Sequence, residues 1–210
     1  MNLRHDIIVV QTEGLSFFEI QICDLRKNCA LLRQLPAELV VEAIEDIMED
    51  DYMLSNLELA YEWLTEPSES LLSIEKESEK DDIRHVFRLV ELYGIASRLG
   101  CHKLENNILD AFGARDTCSD SYPSRRFIKS VYKHTYKYSA LRRYVADTFV
   151  FKSRQWKGDG KDCWIKLHKD YGNRNFVADV LKAEKATELE DPNCRPKCYY
   201  HYHFTDKACT

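Results

Sequence analysis

The feature that most constrains this chain is the stretch from Asn56 to Phe112. Within it Val86, Leu89, Val90, Tyr93, Ala96 and Leu99 fall three or four residues apart, which places them on one face of a helix. Gly100 stands where a left-handed residue would end that helix. Leu104, Ile108, Leu109 and Phe112 repeat the spacing, so a second helix is predicted after a short turn, the two forming a hairpin. Upstream, Leu57, Ala60, Tyr61 and Leu64 share a face of another helix, with Trp63 beside it and Ser55 or Asn56 as its cap. This pattern is packing rather than catalytic chemistry.

With 210 residues and 44% hydrophobic content, the chain can build one domain with a real core, or a small domain with an appendage. No segment reaches the roughly 20 apolar residues that span a bilayer. The first residues, Met1 to Asp6, do not form a signal peptide, because only Ile7 to Val10 is continuously apolar. A soluble, intracellular protein of the cytoplasm or nucleus is expected. Without a secretory signal the eight cysteines do not imply a disulfide framework. Cys23, Cys29, Cys101, Cys118 and Cys163 lie singly in or near apolar patterns, as small buried side chains or bystanders.

Before the organising stretch, Asp6 to Ile22 reads as a β-hairpin, with Ile7 to Val10 and Phe18 to Ile22 as strands and Glu13-Gly14 as the turn. Asp24 to Leu35 carries Leu25, Cys29, Leu32 and Leu35 at helical spacing, with Asp24 as N-cap and Pro36 ending it or starting a new turn. Leu39 to Ile47 fits either period; its β-branched content favours a strand. Residues 66–82 combine Pro67, four serines and an acidic excess, which predicts a solvated, mobile insertion.

From Ser124 the charge reverses. Arg125, Arg126, Lys129, Lys133, Lys137, Arg142 and Arg143 accompany an amphipathic helix with Phe127, Ile128, Val131, Tyr132 and Tyr136 inward. A following helix turns Leu141, Val145 and Phe149 inward. Gly158-Asp159-Gly160 marks a loop, and Tyr171 to Ala186 holds a last helix with Phe176, Val177, Val180 and Leu181 apolar. Interleaved bases and aromatics over 125–174 are one form of a single-strand nucleic-acid surface. Aromatics at core spacing with bases on the solvated face explain the same pattern, and the net charge of −5 argues against a general nucleic-acid binder.

Leu57-x-Leu59-Ala60-x-x-Trp63-Leu64 resembles the helix before the "WLY" element of BTB/POZ domains, the fungal ones above all. Leu89 to Gly100 with Lys103, Leu104 and Asn106 is similar to the helix pair that follows it there. Thr135-x-x-x-Ser139-Ala140-Leu141-Arg142-Arg143-x-x-x-Asp147 and the closing Cys198-Tyr199-Tyr200-His201-Tyr202-His203 resemble segments after the domain in the same proteins. Thr65 stands where that family usually has Tyr, and the part before Leu57 is short for it. The resemblance implies an α+β fold: a helix-dominated BTB/POZ-like domain over 1–115 with a small N-terminal sheet, a helical C-terminal extension over 116–190, and a Cys/His-rich tail over 191–210. It also implies a protein-binding module, homodimeric or docking on a cullin scaffold as a ubiquitin-ligase adaptor, and no catalytic residue.

The tail is the sharpest local signal. Cys194, Cys198, His201, His203 and Cys209 place five soft or borderline ligands in one short segment. Zinc takes four such ligands tetrahedrally at about 2.0–2.3 Å. Cys198, His201, His203 and Cys209 make one set, with Cys194 as alternative, and a closed set would be structural. A metal-free tail packed through Tyr199, Tyr200, Tyr202 and Phe204, or a Cys194–Cys198 or Cys198–Cys209 disulfide, fits the same residues. A zinc-stapled regulator that binds nucleic acid through 125–174 is the alternative function. Nucleophile-elbow, P-loop, Rossmann and HExxH patterns are absent from the sequence, and His85, His102, His134 and His168 are scattered among charged neighbours, so an enzyme is not expected.

Overall fold

A computed structural model describes residues 3–4, 7–11, 17–49, 54–67, 79–116, 123–155, 173–185 and 190–203. The chain is helix-dominated, with a small antiparallel sheet at its N-terminal end. It divides into two compact units, 1–108 and 109–210.

In the first unit β1 (Leu3–Arg4), β2 (Ile7–Gln11) and β3 (Phe17–Gln21) form the sheet in that order. Ile8 opposes Ile20 and Val10 opposes Phe18, so the period of two turns Ile8, Val10 and Ile20 fully inward and leaves Glu19 exposed. The two-residue β1 extends the expected hairpin; the Glu13-Gly14 turn lies outside the described residues. The segment after the hairpin is not one helix. α1 spans Ile22–Asn28, Cys29 is extended, and a 3-10 turn follows at Leu32–Gln34. The inward set is as expected for Leu25, Cys29 and Leu32, which are buried. The helix breaks because Ala30 turns its N–H to the carbonyl of Gly100, at 3.1 Å, rather than back along α1. Asp24 sits inside the first turn of α1, not at its cap, and accepts the Tyr61 hydroxyl at 3.3 Å.

Residues 37–48 correct the strand expected over Leu39 to Ile47. They form α2 (Ala37–Met48), which buries Val40, Val41, Ile44 and Ile47 and exposes Glu42, Glu45 and Asp46. Pro36 starts the helix at φ −61° and ψ 158°. The weak strand preference of valine and isoleucine loses to a helical face that can be wholly buried.

α3 (Leu54–Thr65) and α4 (Glu79–Leu99) pack on each other. Leu57, Ala60, Trp63 and Leu64 of α3 are buried, as are Leu89, Val90, Tyr93, Ala96 and Leu99 of α4. Ser55 and Asn56 are within α3 rather than capping it, and the buried Asn56 amide donates to Glu91 of α4 at 2.6 Å. α4 also begins earlier than its apolar stripe, at Glu79, so the end of the expected acidic insertion is helical; 68–78 lie outside the described residues. Tyr61 and Asn28 join α3 to α1: the Tyr61 hydroxyl accepts from the Gln21 amide at 3.0 Å, and Asn28 donates to the Leu64 carbonyl at 2.9 Å.

Gly100 ends α4 at φ +65°. The amide of Cys101 donates to the Ala96 carbonyl at 2.8 Å and that of Gly100 to Ser97 at 3.2 Å, the paired bonds of a Schellman turn. α5 (His102–Asp116) follows, with Leu104, Ile108, Leu109 and Phe112 buried as their spacing predicts.

In the second unit α6 (Arg125–His134) and α8 (Arg174–Glu184) both pack against α7 (Ala140–Gln155). Ser124 caps α6 by accepting from the Phe127 amide at 3.2 Å, and Asn173 caps α8 through the amides of Asn175 and Phe176. Phe176 lies edge-on to Tyr132 at 5.6 Å and to Phe149 at 5.4 Å, which fills the space between the three helices. Tyr136, read as inward, is 59% exposed, and Leu181, one of the apolar residues of the last helix, is 43% exposed. Tyr136 lies past the end of α6, where the helical phase no longer applies.

Candidate functional site

The tail is fastened to its unit by a polar and aromatic lock centred on Asp147 of α7. The Asp147 carboxylate accepts the Tyr200 hydroxyl at 2.8 Å and pairs with the Arg195 guanidinium at 3.1 Å. Asp147, which is buried, is the one acid on a helix otherwise flanked by bases, and the tail supplies both of these partners. Burial raises its pKa above the usual carboxylate range, although the Tyr200 hydrogen bond and the charges of Arg195 and Arg143 pull the other way. Burial likewise pushes the Tyr200 hydroxyl far up, so it stays a donor.

Around this centre, Arg143 donates to the Tyr199 carbonyl at 2.8 Å and its guanidinium lies over the rings of Tyr199 and Tyr200. Arg195 covers the other ring position of Tyr199 at 4.1 Å. Tyr144 stands edge-on to Tyr200 at 5.3 Å and donates its hydroxyl to Asn193 at 3.0 Å. His201 meets Asp110 of α5 through Nε2 at 3.0 Å.

A second buried polar cluster lies between α6 and α7. Arg142, expected on the solvated basic face, is buried instead. Its Nε donates to Thr135 Oγ1 at 2.9 Å and its Nη2 to the carbonyls of Tyr132 and Thr135, and the guanidinium lies 4.5 Å from the Tyr132 ring centre. The Tyr132 hydroxyl completes the cluster by donating to Asp179 of α8 at 2.7 Å. Arg142 ties up the carbonyls at the end of α6, which its position on α7 permits and its neighbour Arg143 cannot reach. No feature of the sequence distinguishes Arg142 from Arg143 except its place three residues before the apolar Val145 face.

The candidate zinc ligands are placed as follows. Cys194 is an exposed free thiol, so the Cys194–Cys198 bridge is not formed. Cys198 is half-buried and His203 exposed. The rings of His201 and His203 lie 6.2 Å apart, with His201 turned to Asp110. Cys209, like Phe204, lies outside the described residues. Among the described residues no three His, Cys, Asp or Glu side chains come together as a metal-binding group.

The expected basic face is present in part. Arg125, Arg126, Lys129, Lys133, Lys137 and Arg143 are exposed, and Tyr138, at φ +72°, is 78% exposed with Lys137 over its ring at 5.0 Å. Residues 156–172 lie outside the described residues. Of the scattered histidines, His102 pairs with Glu105 at 2.5 Å and His134 is buried; His168 lies outside the described residues. Among the described residues no helix is long and apolar enough to cross a membrane.

In the first unit Leu31, in the α1–α2 connection, is 55% exposed and Leu39, in the first turn of α2, is 41% exposed, with Pro36 exposed between them. No protein family, curated protein or solved structure matches the chain.

Proposed function

We propose that this chain is a protein-interaction module of BTB/POZ type that works inside the cell by self-association or by bridging a partner to a scaffold such as a cullin, and that it catalyses no reaction. The reading rests on the quoted sequence resemblance. A small antiparallel sheet leading into a helical stack, with the α3 and α4 stripes closed on each other, supports it.

The observation that carries the reading is the contrast within the first unit. Among the described residues most leucines and isoleucines of α2, α3 and α4 are buried, yet Leu31, between α1 and α2, and Leu39, in the first turn of α2, are exposed. Apolar surface left in water costs about 25 cal/mol per Å², and a partner that covers Leu31 and Leu39 together would remove that cost. A stable complex removes about 1,200–2,000 Å² in all.

Light scattering on the full chain over a dilution series tests this. A dimer mass that dissociates on dilution supports self-association through an interface of that size. A monomer mass at every concentration, together with failure to bind a cullin scaffold, overturns the proposal.

A further inference from the structure

In the second unit the tyrosines after Ser124 fall into two groups. Tyr132, Tyr144 and Tyr200 are buried, and their hydroxyls have partners in Asp179, Asn193 and Asp147. Packing accounts for these three. Tyr136 and Tyr138, in the turn between α6 and α7, are instead 59% and 78% exposed. Tyr138 also holds φ +72°, a conformation that residues with a Cβ rarely adopt. Strained positions of this kind cluster at binding and active sites.

The turn continues a row of bases. Arg125, Arg126, Lys129 and Lys133 are exposed along α6, at spacings that share its solvent side, away from the buried Ile128 and Val131. Lys137 follows between the two tyrosines, its ammonium 5.0 Å from the centre of the Tyr138 ring. Residues 121–146 carry seven Lys and Arg and no Asp or Glu, so α6 and the turn supply no acid of their own to neutralise the row. The net charge of −5 hides this division: 109–210 holds 20 Lys and Arg against 13 Asp and Glu, and 1–108 holds 10 against 22. Salt screens charges beyond about 8 Å under physiological conditions, so a ligand on α6 meets the local row rather than the charge of the whole chain.

We propose that the solvent side of α6 and the turn after it bind a single strand of nucleic acid. Its phosphates lie along Arg126, Lys129, Lys133 and Lys137, and its bases stack on Tyr136 and Tyr138. Regularly repeated negative charge matches the row. Unpaired bases match the exposed rings, whereas a duplex keeps its bases stacked inside. An acidic protein segment matches the row alone. The proposal is independent of the function proposed above.

The test is fluorescence anisotropy of a labelled oligo(dT) of about 20 nucleotides, longer than a typical single-strand site, titrated with the full chain. Salt is varied from about 50 to about 200 mM. The logarithm of the affinity is expected to fall against the logarithm of salt with a slope of about −2.8, for four phosphate contacts. The double variant Lys129→Gln, Lys133→Gln binds more weakly, and its slope is shallower by about 1.4. The double variant Tyr136→Ala, Tyr138→Ala keeps the slope but binds the single strand at least about tenfold more weakly, and its affinity for a duplex of the same length is unchanged. Tyr136→Phe with Tyr138→Phe keeps both rings and binds as the wild type does. Absence of binding at the lowest salt overturns the proposal, as does an alanine variant that binds the single strand as well as the wild type. Poly-glutamate that displaces the label as readily as unlabelled oligo(dT) also overturns it, and makes this face a site for acidic protein.

Discussion

The Tyr200 hydroxyl reaches the Asp147 carboxylate at 2.8 Å, and through it the tail closes over a buried charge on α7. Tyr200→Phe removes the donor and leaves the Asp147 carboxylate paired with Arg195 of the tail. The expected loss is about 1–3 kcal/mol, the usual cost of a missing partner for a buried acceptor. Urea denaturation of the variant, followed by tyrosine and tryptophan fluorescence, measures it.

The pH dependence of this lock has an unusual sign for a carboxylate. Burial raises the folded-state pKa of Asp147 above its unfolded value. The native state therefore binds the proton more tightly, and this group contributes stability below the unfolded pKa that is lost as pH rises through the folded one. The stability of the wild type relative to Asp147→Asn is thus expected to be highest near pH 4 and to fall toward neutrality, starting from a reference carboxylate pKa of about 3.9. Denaturation midpoints of both proteins over that range check it. A wild-type advantage that grows toward neutrality would mean that Arg195 outweighs burial.

Arg142→Lys is expected to be a costly exchange. The guanidinium reaches three acceptors on Tyr132 and Thr135 while stacking on the Tyr132 ring. A lysine is a point charge that cannot bridge them in one plane. The expected loss is about 2–3 kcal/mol by urea denaturation, since several buried acceptors lose their partner. The neighbouring exposed Arg143→Lys is expected to cost less than about 1 kcal/mol.

Gly100→Ala is expected to destabilise the first unit by about 2 kcal/mol or more, because φ +65° disfavours any side chain and the new Cβ meets Leu31. Leu31→Gly removes the Cβ contact but leaves the backbone N and Cα of residue 31 at 3.0 and 3.3 Å and the backbone strain. The double variant is therefore expected to recover part of the loss, and thermal melting of the single and double variants measures that coupling.

Much of the helical scaffold was legible in the sequence. The spacing of Leu89, Val90, Tyr93, Ala96 and Leu99, and the glycine after them, placed the α4 face and its end, because period and left-handed turn chemistry are local properties. α2 was misjudged because Val40, Val41, Ile44 and Ile47 satisfy two periods, and only the burial available to a helical face decides between them. The break after Asn28 is set by a carbonyl at Gly100, far along the chain, and leaves no local mark. The same holds for the tail. The spacing of its Cys and His residues is visible locally, but the contacts that fasten it, Tyr200 and Arg195 to Asp147 and His201 to Asp110, join residues far apart in the chain. Arg142 and Arg143 are adjacent and alike in sequence; which one is buried depends on the packing of α6 against α7.

The proposed binding of protein would use apolar surface left outside a closed core. Light scattering of the wild type beside a Leu31→Asp, Leu39→Asp double variant tests it most directly. Neither position is part of the buried core, so the variant is expected to keep its circular dichroism and melting temperature. A dimer is expected for the wild type and a monomer for the variant at the same concentration. A wild type that is monomeric throughout, or a variant that dimerises as strongly as the wild type, would contradict it.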